Sequence, residues 1–260
     1  MKNLLKKILG KFKYNIISHS NYQKLKSQRS VANRAIADIS FLSKLPDEQV
    51  PFILKNLKKS KSQLRQDLFV LSQLKGKQNG FFVEFGSTNG VDVSNTFLLE
   101  KEFGWRGILA EPAKCWHGAL EKNRSCHLDK RCVWNVSGSA VVFNEVDTKE
   151  LSTIDSFSFG DVHKEARKKG QKYKVKTITL LDLLDYYQSP KEIDYLSIDT
   201  EGSEFEILSV FDFEKYKFKV ITCEHNFTPI REKIFKLLTS QNYVRIYEDV
   251  SFFDDWYEAL

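Results

Sequence analysis

The hydrophobic pattern of this chain changes period repeatedly. Short, nearly continuous apolar runs at 81–85, 107–111, 131–136, 193–199 and 218–224 read as buried strands. Between them, apolar residues spaced three and four apart predict helices at 62–71, 92–103, 112–123, 180–187, 204–210 and 230–239. Two further runs, 243–247 and 250–253, read as closing strands. Strands alternating with helices call for a mostly parallel sheet with helices on both faces. The closing pair would place an antiparallel strand at the sheet's edge. The region 138–176 is less regular: 140–143 and 175–178 read as short extended pieces, and 152–170 as a surface excursion.

The first 60 residues follow a different pattern. At 100° per residue, Leu4, Leu5, Ile8, Leu9, Phe12 and Ile16 share one arc of a helix over residues 1–18, and five lysines lie off it. Such a basic amphipathic helix suits peripheral contact with an anionic membrane surface. Packing on the body or on a second subunit is the alternative. Helices are also expected at 28–44 and 47–59. The chain therefore divides into a basic helical extension, 1–60, and a single α/β domain, 61–260.

Charge sharpens that division. Residues 1–65 hold 15 Lys/Arg and 3 Asp/Glu, a net of +12; the whole chain is +6, so the remainder carries −6. An acidic body argues against a nucleic-acid groove there. No run approaches the roughly 20 apolar residues of a membrane span, and no signal peptide is evident. The four cysteines form no C-x-x-C pair, which disfavours zinc or a disulfide framework. A cytoplasmic protein, in peripheral contact with the inner membrane surface if the basic helix binds lipid, is the expectation.

In an open parallel sheet, ligands bind beyond the carboxyl ends of the strands, and polar residues gather there. Gly86 to Gly90 follow the first strand; Gly86 would permit a sharp turn and a close backbone approach. Glu111 ends the second strand, 21 residues past Gly90, where a carboxylate grips a ribose in nucleotide-binding units. Asn135 to Ser137 end the third strand, Asp199 to Gly202 the fourth, and Glu224 to Asn226 the fifth. Ser94 and Asn95, near a helix start, could hold a ligand carboxylate. Asp199 and Glu201 offer paired carboxylates, and His225 a base near neutral pH. Asp199 with Glu224 could instead hold a hard divalent ion. Gln63 and Asp67 share a helix face that could reach the same pocket.

These stretches together resemble the FkbM-type methyltransferases: Phe82 to Gly90, Ser94-Asn95-Thr96 with Leu99-Glu100, Gly104 to Pro112, Thr177 to Leu180, Asp194 to Glu204, and Cys223 to Asn226. The resemblance spans roughly residues 60–255. It implies a class I, Rossmann-like methyltransferase fold with a seven-stranded, mostly parallel sheet. It also implies S-adenosylmethionine as cofactor and O-methylation of a hydroxyl-bearing small molecule or glycan. By that resemblance Glu84, Gly86, Ser87, Asn89 and Gly90 surround the methionine part. Glu111, with Pro112 beside it, holds the ribose. Asn135 and Val136 face the adenine, while Asp199, Glu201, Glu224 and His225 face the acceptor. Metal use and oligomeric state stay open. An NAD-dependent sugar oxidoreductase or epimerase is the competing enzyme reading, against which the loop lacks G-x-G-x-x-G spacing. An inactive cofactor-binding scaffold is the non-enzyme one.

Overall fold

The computed structural model describes residues 18–260. The amphipathic helix expected at 1–18 therefore lies, but for Ser18, outside the described residues. The described chain forms two compact units, the first ending at Lys44 and the second running from Leu45 to Leu260. The first carries helix α1 (His19–Leu42), capped by Ser18, whose hydroxyl accepts the Asn21 N–H at 3.1 Å. Among the described residues no helix is long and apolar enough to cross a membrane.

The second unit begins with α2 (Val50–Asn56) and α3 (Gln66–Gln73), and then alternates. Strand β1 (Phe81–Phe85), helix α4 (Phe97–Phe103), β2 (Arg106–Ala110), α5 (His117–Asn123) and β3 (His127–Asp129) form the first half. Further along come α7 (Leu180–Tyr186), β8 (Glu192–Ile198), α8 (Glu204–Ser209), β9 (Lys217–Glu224), α9 (Ile230–Ser240), β10 (Tyr243–Ile246) and β11 (Asp254–Ala259). The main sheet has seven strands in the order β10-β11-β9-β8-β1-β2-β3. All its pairings are parallel except those of β11, which runs antiparallel to both neighbours. The chain leaves β1 in one direction for β2 and β3, and later returns on its other side for β8 and β9. The order thus switches at β1/β8, where a ligand crevice is expected.

Apolar burial holds helices to both faces. Val83, Phe85, Ile198, Ile221 and Tyr257 share one core with Leu183 of α7, Ile207 of α8 and Leu238 of α9. Trp256, the neighbour of Tyr257, points the other way and stacks on Phe69 of α3 with ring centroids 4.6 Å apart. This period-two alternation is what a strand covered on both sides requires.

Four expectations need correction. The third parallel strand is His127–Asp129, not 131–136; β4 (Cys132–Val133) instead joins a second sheet. That sheet, in the order β4-β7-β5-β6, also holds β5 (Ala140–Glu145), β6 (Thr153–Ile154) and β7 (Gln171–Ile178), with the short helix α6 (Lys164–Arg167) between β6 and β7. The irregular 138–176 region is thus a built element. The last strand is Asp254–Ala259, not 250–253. Phe252 takes a left-handed φ of 54° that breaks extension. Helix α4 starts at Phe97, not near 92, because Ser94 folds its hydroxyl onto the Thr96 and Phe97 amides.

Candidate functional site

A cavity of about 430 Å³ opens at the β1/β8 switch. Gly86 sets its floor. Its φ is +74°, and a Cβ there would sit 1.8 Å from the Asp199 carbonyl oxygen. Only glycine lets the ends of β1 and β8 come this close. Glu84, Asn95, Glu111, Pro112, Asp199 and Glu224 line the cavity.

Glu111 stands at one end. It is buried, and its carboxylate accepts the Thr88 N–H at 3.0 Å and the Ala113 N–H at 2.9 Å. Burial nevertheless pushes its pKa up to about 7. Two backbone donors leave lone pairs over for a further donor pair, such as the hydroxyls of a ribose.

Glu84 anchors the next turn. Its oxygens accept the Asn95 N–H at 2.7 Å, the Ser94 hydroxyl at 3.1 Å and the Thr96 hydroxyl. Arg124, with no exposed side-chain surface, closes the network: it donates to Ser94 Oγ, Thr96 Oγ1, the Gly90 carbonyl and Glu100. Asn95 donates to Ser197 Oγ at 3.0 Å, and its buried Oδ1 has no protein partner.

Other predicted residues support the loop without lining the cavity. Asn89 accepts the Val91 and Asp92 amides, and Gly90 N–H donates to the Ser87 carbonyl. Ser87 is buried and Ser94 accepts the Thr96 and Phe97 amides; neither lines the space. Asn135 and Val136 also stay outside: Asn135 reaches Glu206 at 3.5 Å and Val136 is exposed. Cys132 and Val133 form that wall instead, because β4 ends earlier than the expected strand. Of the helix-face pair, Gln63 lines the cavity, whereas Asp67 is buried and accepts the Ser60 hydroxyl at 2.7 Å.

At the opposite end three carboxylates converge. Asp199, Glu201 and Glu224 each offer an oxygen within 4.8 Å of the others. Burial raises the pKa of each; Glu204 and Asp254 push Asp199 up further, and the charge of Asp199 does the same to Glu201 and Glu224. The main compensation is Arg167 of α6, which donates to Glu201 at 2.6 Å and to Asp161 at 2.9 Å. Thr153 of β6 donates to the Thr200 and Glu201 carbonyls, so the second sheet braces the turn that carries Glu201. This oxygen set could share protons, or hold a hard divalent cation, or stand against a sulfonium.

His225 lines a second, adjoining cavity, not the first, and its ring is tied into the turn that carries it. Its Nδ1 accepts the Phe227 N–H at 3.0 Å, so Nε2 carries the proton of the neutral ring, 3.8 Å from Asp255. Burial pushes its pKa down. The lone pair a base needs is already used.

A second cavity of about 230 Å³ adjoins the first through Glu201, Glu224 and Asn226, and is also lined by Asp161 and Glu204. Signals for Arg124 and Arg167 were absent from the pattern, because basic residues on polar helices ordinarily read as solvated.

These raised carboxylates have a consequence for stability. Glu111 and Asp254 are both pushed up to about 7 by burial, above their unfolded values. The folded state then binds more protons than the unfolded one through this range, so stability falls as pH rises. The ligand-free protein should lose several degrees of Tm between about pH 5 and about pH 8. A Tm that stays flat or climbs across that interval in a melting series would refute this.

Comparison with known proteins adds three findings. The model of the methyltransferase FkbM domain matches residues 84–259. Among solved structures, the chain is similar to a precorrin-6y C5,15-methyltransferase from Geobacter metallireducens GS-15, at 13% identity over 69% of this chain and 71% of that one, with a TM-score of 0.39. It is also similar to a methyltransferase FkbM from Methylobacillus flagellatus KT, at 11% identity over 88% of this chain and 60% of that one, with a TM-score of 0.46. No curated protein matches the sequence significantly.

Proposed function

This chain belongs to the FkbM methyltransferase domain family, and from that we propose that it methylates a hydroxyl oxygen of a sugar in a glycan or glycoconjugate. The observation that carries the reading is one cavity with a buried ribose-type carboxylate, Glu111, at one end and the Asp199/Glu201/Glu224 cluster at the other. The family implies S-adenosylmethionine, which when bound supplies an electrophilic methyl group. The lining suits it: the volume is that of a small-molecule pocket, and Glu111 keeps acceptor capacity after its two backbone bonds.

In this reading Glu111 accepts the two ribose hydroxyls. Glu84, Arg124 and Ser94 hold the turn that shapes the methionine end, and Asn95 offers its free Oδ1 to the ligand's amino group. The carboxylate cluster favours the sulfonium charge electrostatically. Asp199 accepts the proton of the acceptor hydroxyl as its oxygen attacks; a sugar hydroxyl is a poor nucleophile without such help. Arg167 holds Glu201 in place beside it. Asp199, Glu201 and Glu224 are also the residues that would hold a divalent cation.

The test is transfer of labelled methyl from S-adenosylmethionine to a glycan panel. Label on a sugar oxygen supports the reading. Label only on nitrogen or carbon acceptors refutes it.

A further inference from the structure

We propose that Phe227 is the platform on which the acceptor's sugar ring stacks, and that the cavity beside it selects neutral, hydroxyl-rich rings over acidic ones. This rests on the sugar-methylating reading above and names the substrate class.

Beyond β9 the chain turns through Asn226 and Phe227, with φ of 45° and 56°. Two successive non-glycine residues in the left-handed region are unfavourable, most of all for a bulky one. The surroundings over-determine the turn. His225 and Asn226 N–H groups both donate to the Phe253 carbonyl, at 2.9 and 3.1 Å. Thr228 N–H donates to the His225 carbonyl at 2.8 Å, and Phe227 N–H to His225 Nδ1 at 3.0 Å. His225 is buried and is thus the positioning residue of this turn.

The turn holds its aromatic ring out to solvent. Its strain is not offset by burying the ring, since Phe227 stays 71% exposed. The ring lines the mouth of the large cavity, where Val93 and Val162 are exposed as well. Strain held this firmly by its neighbours marks a functional position. An aromatic face attracts the electropositive C–H face of a sugar ring.

The adjoining chemistry supplies the selectivity. Asp161, Glu201, Glu204 and Glu224 line the second cavity, and no lysine or arginine does. Arg167 is fully buried and engaged by Asp161 and Glu201. Carboxylates accept hydrogen bonds from hydroxyls but repel a carboxylate or phosphate, which finds no lysine or arginine in the second cavity, Lys149 lining the first. Asn226, whose amide donates to Glu201 at 3.2 Å, joins the two cavities.

The experiment is saturation-transfer NMR on the full chain with S-adenosylhomocysteine present. The probes are the methyl glycosides of glucose, galactose and mannose, with glucuronic acid as the acidic comparator. In the native protein, ring protons of at least one neutral glycoside receive saturation from aromatic protons, and glucuronic acid receives none. Phe227→Gly lowers the signal at least about fivefold, and Phe227→Trp retains it. Phe227→Gly also keeps or raises Tm, since glycine accepts this φ without strain; lost signal is then not lost fold. Equal signal in Phe227→Gly, equal saturation of glucuronic acid, or no signal from any neutral glycoside overturns the proposal. Methyl transfer to a non-sugar hydroxyl alongside that last result would overturn the platform and leave methyl transfer intact. Failure to bind S-adenosylhomocysteine would instead sink the cofactor reading beneath it.

Discussion

Asp199→Asn is expected to lower methyl transfer by about 10³-fold while leaving the protein as stable as before or more so. The two effects have one cause. Asp199 sits among Glu201, Glu224 and Glu204, where burial and neighbouring charge make its ionised form costly. Asparagine keeps the shape and removes a charge, so folding gains. It also removes the oxygen that takes the acceptor's proton, so turnover suffers. Affinity for the sulfonium cofactor should fall modestly with the lost carboxylate, while affinity for the uncharged S-adenosylhomocysteine changes little, because the ribose end of the cavity lies at Glu111, two strands away in the order β8-β1-β2. Turnover measured at saturating acceptor, beside a melting curve, checks both halves. Full activity in Asp199→Asn would remove Asp199 from the mechanism. A large drop in Tm would refute the electrostatic account of the cluster.

Glu111→Gln is expected to weaken S-adenosylmethionine binding by about 100-fold. An amide keeps one acceptor and turns its NH2 donor toward either the Thr88 or the Ala113 amide, which now donate to separate oxygens of the carboxylate. The ribose then loses a charged acceptor. The same group predicts a pH dependence. Burial places the free-protein pKa of Glu111 at about 7. Above that pH the carboxylate is ionised and ready; below it, binding must first drive off a proton. Affinity should therefore fall as pH drops below about 7, by up to about tenfold per unit, and Glu111→Gln should abolish that dependence. Calorimetric titration of both proteins at several pH values decides it. A wild-type affinity indifferent to pH would contradict the assignment.

Where a strand is one apolar run with a polar stop, its place in the fold was readable. That is why β1, β2, β8 and β9, and with them Gly86, Glu111, Asp199 and Glu224, stood out in advance. β3 and β4 are three and two residues long, too short for any period to register. β11 was hidden by Asp254 and Asp255, which look like solvent-facing acids. Both are buried: Asp254 accepts from Gln66, and Asp255 from Arg231 and Arg245. Arg124 and Arg167 were illegible for the complementary reason. Glu100 lies 24 residues from Arg124 and Glu201 lies 34 from Arg167, and Asp161, only six before Arg167, reads as one more acid of a charged surface run. His225 was noticed for the right chemistry and the wrong task, because its use of Nδ1 depends on a left-handed turn that no hydrophobic pattern encodes.

The central claim is that the rim at the β1/β8 switch cradles an adenosyl sulfonium, with Glu111 on its ribose. A crystal structure of the protein grown with S-adenosylhomocysteine tests it most directly. The account predicts both ribose hydroxyls within hydrogen-bond distance of the Glu111 carboxylate and the sulfur lying toward Asp199. Ligand seated elsewhere, or a ribose that never meets Glu111, would contradict it.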